Sequence, residues 1–223
     1  MTLKLYFAPG ACSFVPHTLL ETTGEPFEPM LVKLHKGENL TPEYKAINPH
    51  AQVPVLVDGG ETITQIVAIV CHLDARFPQC NFLPREPLAR TRVLETLCWM
   101  NNTVHPAFTH VFMPYKFTDD KQAQEAVKAF SAKAYAPMLG EIEALAARAA
   151  AAGNPWLGGA AFGPLDAYAL TLLRWGGFAG HDPQGYPALW ALVQRVAALP
   201  AVARAIERER LQLNVYQPAA GRP

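Results

Sequence analysis

Excess charge of either sign is missing from this 223-residue chain, in which 19 lysines and arginines stand against 19 aspartates and glutamates. With no global field, nothing steers the protein toward nucleic acid or an anionic lipid surface, and an anionic ligand must be held by local groups. Long apolar runs are missing too, because charges and prolines break each one well short of a membrane span. The opening residues lack the basic, apolar and small-residue succession of a signal peptide, so a cytoplasmic location is expected. Cysteine is sparse: Cys12, Cys71, Cys80 and Cys98, with no CxxC pair. That argues against a disulfide-stapled scaffold and a thioredoxin-type dithiol, and reduced thiols are the expectation. No metal is expected.

What is present divides into two grammars. Half of the residues are apolar, enough for two modest cores. In residues 1–80, Leu3–Phe7 reads as a buried strand stopped by Pro9-Gly10, and residues 14–23 suit a helix that Gly24 can end. Met30–Val32 reads as a second strand. Thr41-Pro42-Glu43 opens a helix, with threonine as cap and proline in the first turn. Val53–Val57 is strand-like despite Pro54, which a cis bond at the strand's start would accommodate. Asp58-Gly59-Gly60 turns into Thr62-Ile63, and Ile66, Ile69, Val70, Leu73 and Phe77 share one helical face. The order is β-α-β-α-β-β-α, an α/β domain.

Residues 81–87 read as a proline-marked linker, and beyond it no strand signal survives. Val93, Leu97, Met100 and Val104 form a helical stripe, and residues 120–150 read as one long helix. Gly163-Pro164-Leu165-Asp166 looks like a helix start, and Pro187 and Pro200 open two more helices. Residues 88–223 are therefore expected to form an all-helical domain of about five helices.

Three stretches together are specific. They are Tyr6–His17 (YFAPGACSFVPH), Ile47–Leu56 (INPHAQVPVL), and Asp166-Ala167-Tyr168 followed by Leu173-Arg174-Trp175. In this order and at these separations they resemble the cytosolic glutathione transferases, most closely the bacterial beta class, over nearly the whole chain. The resemblance implies a thioredoxin-like N-terminal domain with a mixed four-stranded sheet, an all-helical second domain, and a homodimer. It implies that glutathione is a co-substrate, conjugated to a small hydrophobic electrophile in detoxification, or exchanged as a thiol through Cys12.

Site residues follow. Cys12 lies where a strand ends and a helix begins, where backbone N–H groups and the positive helix end favour a thiolate; a small buried apolar residue is the plainer reading. Tyr6 and Ser13 are alternative activators of the glutathione thiol. By resemblance Gln52, Val53 and Pro54 frame the segment that pairs with the tripeptide, Val53 offering its N–H and C=O. The helix start at Gln65 and Ile66 would receive the γ-glutamyl carboxylate. Lys36 is the candidate for the glycyl carboxylate, with His35 and Lys33 as competitors. His105 matches a histidine lining the beta-class site, or is a satisfied polar group on an apolar helix. His17 reads as a packing or capping residue. Trp99, Phe108, Phe112 and Trp175 could build an acceptor pocket.

Three positions depart from the family, one of them Pro106, which follows His105 where a basic residue is common. Gln65 and Ile66 stand where Glu followed by Ser or Gly is usual, and losing a charge-assisted hydrogen bond weakens binding by about 1–2 kcal/mol. Ile66 is also expected to crowd the pocket. These departures support an alternative, a non-catalytic relative that binds hydrophobic ligands or a protein partner.

Overall fold

The computed structural model describes residues 3–218, so the outer ends of the two expected domains, residues 1–2 and 219–223, lie outside the described residues. The chain forms two compact units. One runs to Val93 and includes Ala197–Leu211; the other takes Leu94–Val196 and the chain from Gln212 onward.

In the first unit the order is β1 (Leu3–Phe7), α1 (Phe14–Thr23), β2 (Phe27–Leu31), α2 (Pro42–Ile47), β3 (Val55–Asp58), β4 (Glu61–Thr64) and α3 (Ile66–Arg76). The four strands form one mixed sheet in the order β2-β1-β3-β4, with β1 parallel to β2 and antiparallel to β3. Register separates the two faces. Leu5 lies opposite Leu56 and both are fully buried, whereas Tyr6 lies opposite Val55 on the other face. The Leu5 face meets α1, where the Phe7 ring lies 5.0 Å from that of His17. On the Tyr6 face, Ala8, Val32, Tyr44, Val53 and Val55 form a second apolar cluster, with Tyr6 packed against it.

Local chemistry explains the element ends. Gly24 closes α1 at φ 73°, a left-handed conformation that a side chain would strain. Thr41 caps α2 by accepting from the Tyr44 N–H. Strand β2 begins three residues earlier than the sequence pattern indicates. Strand β3 begins at Val55, because Pro54 has no N–H to give a ladder.

The first division along the chain falls within α4 (Pro87–Trp99), between Val93 and Leu94, and not in residues 81–87. Asp74 is the reason. Its buried carboxylate accepts from the Leu83 N–H, Arg85 and Arg90, which ties that segment to the first unit. Helix α9 (Pro200–Glu209) also belongs there, since Arg204 and Arg208 both pair with Glu21 of α1.

In the second unit, α4 passes through a π-helical turn at Met100–Val104 into α5 (His105–Phe112). With that interruption the described residues beyond residue 87 hold six helices, α4 to α9, where about five are expected from the sequence. Helix α6 (Lys121–Ala151) is long, α7 (Pro164–Phe178) is buried along most of its length, and α8 (Pro187–Ala197) follows. The start of α7 is fixed by Asp166, whose carboxylate accepts from the N–H groups of Gly163 and Leu157 at 2.9 and 2.8 Å. Among the described residues no single helix is long and apolar enough to cross a membrane.

Candidate active site

Cys12 follows the turn after β1, where Ala11 N–H bonds to the Ala8 carbonyl, and it immediately precedes the Ser13 cap of α1. Its Sγ lies 3.5 Å from the Val53 carbonyl oxygen, to which the thiol donates. Two motifs 41 residues apart thus meet at one point. The Val53 segment is held from behind. Tyr44 Oη and Asn48 Nδ2 both donate to the Gln52 carbonyl at 2.8 Å, and Asn39 Nδ2 donates to that of Ala51. The Val53–Pro54 peptide is cis, as the sequence suggests.

Burial opposes the expected thiolate at Cys12. Backbone N–H groups at Cys12 and Ser13 do lower the thiol's pKa, but burial is the larger effect and pushes it up to about 12. Ser13 is corrected as well. Its hydroxyl is fully buried, accepts from the Ala8 N–H at 3.1 Å and donates to the Ala8 carbonyl at 3.2 Å, so it closes the turn and is not available to a ligand. Tyr6 is partly buried, its ring edge-on to Tyr44 at 5.9 Å, in the same apolar cluster as Val53.

Gln65 caps α3 at φ 69°, ψ 125°, a region that non-glycine residues rarely occupy and that costs on the order of 1–3 kcal/mol. Its side chain is exposed and makes no hydrogen bond among the described residues. Ile66 does not crowd an open pocket, because it is only 3 % exposed and belongs to the core. The first-turn N–H groups of α3 therefore keep the capacity to meet an anion. Lys33 is engaged by Glu38, which pairs with its Nζ and accepts from its N–H. Lys36, exposed after a short 3-10 turn at Leu34–Lys36, forms no ion pair among the described residues.

One member of the first unit has no local sequence signal. Glu209, buried in α9, accepts from the Gly10 N–H through Oε2 at 2.8 Å and faces His17 Nδ1 through Oε1 at 2.6 Å. The loop before Cys12 and helix α1 are thereby pinned by one carboxylate, and His17 has the structural role its position suggested.

In the second unit, Tyr168 Oη donates to Asn101 Oδ1 at 3.2 Å and so accepts from His105 Nδ1–H at 2.8 Å. That assignment leaves His105 Nε2 as an acceptor. Burial, with Lys116 nearby, lowers the His105 pKa to about 4, so the ring is neutral at pH 7 and weakly basic. Tyr168 stands in the Asp166-Ala167-Tyr168 motif, yet its partnership with His105 spans 63 residues and no spacing rule reveals it. An aromatic row begins at His105. Trp175 lies 4.8 Å from it, Phe108 stacks on Trp175 at 4.8 Å, Phe112 stacks on Phe108 at 5.8 Å, and Phe178 lies 6.1 Å beyond. Phe112 and Phe178 are 57 % and 48 % exposed, so the row ends as an apolar face. Trp99 is not part of it; it lines a groove with Glu95, Leu145 and Arg148. Among the described residues no group of three or more His, Cys, Asp and Glu side chains could hold a metal ion.

The family model described as "Glutathione S-transferase, N-terminal domain" matches residues 1–75. The chain is 32 % identical over 219 residues to glutathione S-transferase GstA of Escherichia coli O157:H7, covering 94 % of this chain and all of the relative. A Sulfitobacter glutathione transferase homologue solved with bound glutathione superposes with a TM-score of 0.86 at 25 % identity, covering 94 % of this chain and 99 % of the other. The bacterial beta class enzyme of Sphingomonas chungbukensis superposes with a TM-score of 0.78 at 29 % identity, covering 94 % of this chain and all of the other.

Proposed function

The chain belongs to the glutathione S-transferase family, and from that premise we propose that it joins the sulfur of glutathione to small hydrophobic electrophiles. The observation that carries this reading is the Cys12–Val53 contact, which makes one locus of the two motifs that would hold the tripeptide's cysteinyl residue. Val53 offers its peptide group to glutathione, the start of α3 receives the γ-glutamyl carboxylate, and Lys36 meets the glycyl carboxylate.

A thiol held protonated at neutral pH is a poor nucleophile and keeps its S–H as a donor, though a weak one. Cys12 therefore acts by turning its one S–H from the Val53 carbonyl to the glutathione sulfur when the tripeptide is bound, a hydrogen bond that favours the glutathione thiolate. The thiol proton passes to water, the sulfur attacks the electrophilic carbon, and the leaving group departs with the bonding pair. This reading favours conjugation over thiol exchange. His105 is too weakly basic to take that proton and serves as a neutral acceptor through Nε2. The aromatic row ending at Phe112 and Phe178 is the acceptor surface for an apolar electrophile. A cytoplasmic homodimer acting in detoxification completes the reading.

One observation favours a second reading, a relative that binds hydrophobic ligands with little use of glutathione. The side chain at position 65 is uncharged and cannot meet the glutamyl ammonium as a carboxylate would. Calorimetric titration with glutathione, followed by conjugation assays on several electrophiles, separates the two. Binding with turnover supports the transferase; neither binding nor turnover supports the second reading.

A further inference from the structure

The segment after α9 lies along α7. Arg174 Nε donates to the Gln212 carbonyl at 2.8 Å, and Gly177, one turn on, is the seat for Val215 and Tyr216. A methyl group at Gly177 would stand 2.8 Å from the Tyr216 amide nitrogen and 2.9 Å from Val215 Cγ2, closer than such atoms approach. Glycine is therefore what lets residues 212–218 lie against the helix at this point.

Arg174, Gly177 and Phe178 share a helix face by their spacing of three and four residues. The Arg174 guanidinium covers the Phe178 ring, 5.3 Å from its centroid, and Phe178 in turn lies against Phe112. A continuous chain of contacts thus runs from the C-terminal segment through Arg174 to the exposed end of the aromatic row. Phe112 and Phe178 are the most exposed rings of that row, so their orientation depends on what braces them.

We propose that Arg174 and the segment 212–218 it anchors are positioning elements for the electrophile, bracing Phe178 and Phe112 so that the acceptor face presents fixed rings to an aromatic substrate. This rests on the reading of that face as the acceptor surface. Aromatic electrophiles are the class selected, because a fixed ring rewards offset stacking with a planar partner and gives less to a short aliphatic one.

The test measures KM for chlorodinitrobenzene and for glutathione in the full-length enzyme and in Phe112→Ala, Arg174→Gln and Gly177→Ala, with hydrogen exchange followed over residues 212–217. Arg174→Gln and Gly177→Ala are expected to raise KM for the aromatic electrophile about three- to fivefold, the scale of one exposed cation–π contact. KM for glutathione stays unchanged and the amides of residues 212–217 exchange faster. If Phe112→Ala raises that KM but Arg174→Gln does not, the bracing proposal fails while the acceptor face stands. If Phe112→Ala has no effect, the acceptor reading fails and the proposal with it. Equal rises in both KM values, or a raised electrophile KM with unaltered exchange, also overturn the proposal. Should Gly177→Ala not fold, Arg174→Gln decides alone.

Discussion

Glu209 and His17 meet at 2.6 Å with both side chains fully buried, and the second carboxylate oxygen of Glu209 takes the Gly10 N–H. Helix α9 therefore determines where the loop before Cys12 sits, although 199 residues separate Glu209 from Gly10. Removing one partner of such a pair strands the others away from water. Glu209→Ala is expected to cost about 3–5 kcal/mol, read as a lowered urea midpoint at unchanged slope. Glutathione affinity should fall with it, since the loop loses its anchor. A loss under 1 kcal/mol would show that water satisfies His17 and Gly10.

His105 and Asp166 are predicted to make opposite contributions to the pH dependence of stability. His105 is depressed from 6.5 to about 4, so the unfolded chain binds more protons in that window and stability falls as pH drops from 6.5 to 4. Asp166 is raised by burial from 3.8 to about 6, so the native state binds more protons and stability rises as pH drops from 6 to about 4. Each contribution is on the order of 3 kcal/mol at most. Relative to wild type, His105→Gln should be stabilised by acidification and Asp166→Asn destabilised, as chemical denaturation at pH 4.5 and 7 would read. Parallel pH profiles for all three proteins would refute both assignments.

On the proposed function, position 65 faces the glutamyl end of glutathione. The double substitution Gln65→Glu/Ile66→Ser is expected to tighten glutathione binding about tenfold, through a charge-assisted bond to the ammonium and a hydroxyl at the helix start. Because Ile66 is buried, the serine also costs stability, and Gln65→Glu alone should give most of the affinity without that cost. Calorimetry on both variants checks this; no tightening in either would refute it.

Cys12 should resist alkylation. A thiol at about 12 carries roughly a thousandfold less thiolate at pH 7.5 than one near the usual 9. Peptide mapping after brief iodoacetamide treatment is expected to find Cys71, Cys80 or Cys98 labelled before Cys12. Preferential labelling of Cys12 would contradict the burial argument.

Much of the first unit was legible because its signals are local. Gly24 as a helix end, Thr41 as a cap and the Asp58–Gly60 turn each act within a few residues, and the structure bears out all three. The helix starts at Pro164, Pro187 and Pro200 follow for the same reason. What was not legible depends on contacts across the chain. Nothing near Glu209 points to Gly10, nothing near Asp74 reveals Arg85 and Arg90, and the π turn before His105 has no sequence marker. The Cys12 thiol shows the same limit. Its local N–H groups argue for a thiolate, but the direction of the shift is decided by burial, which only the folded chain determines.

The central claim is that Cys12 acts as a hydrogen-bond donor to the glutathione sulfur. The pH dependence of kcat/KM in wild type, Cys12→Ser and Cys12→Ala tests it most directly. Serine keeps an O–H donor and should keep the wild-type profile, whereas alanine should move the apparent thiol pKa up by about one unit while turnover persists at high pH. Abolished turnover in both variants at every pH would instead make Cys12 the nucleophile and contradict the account.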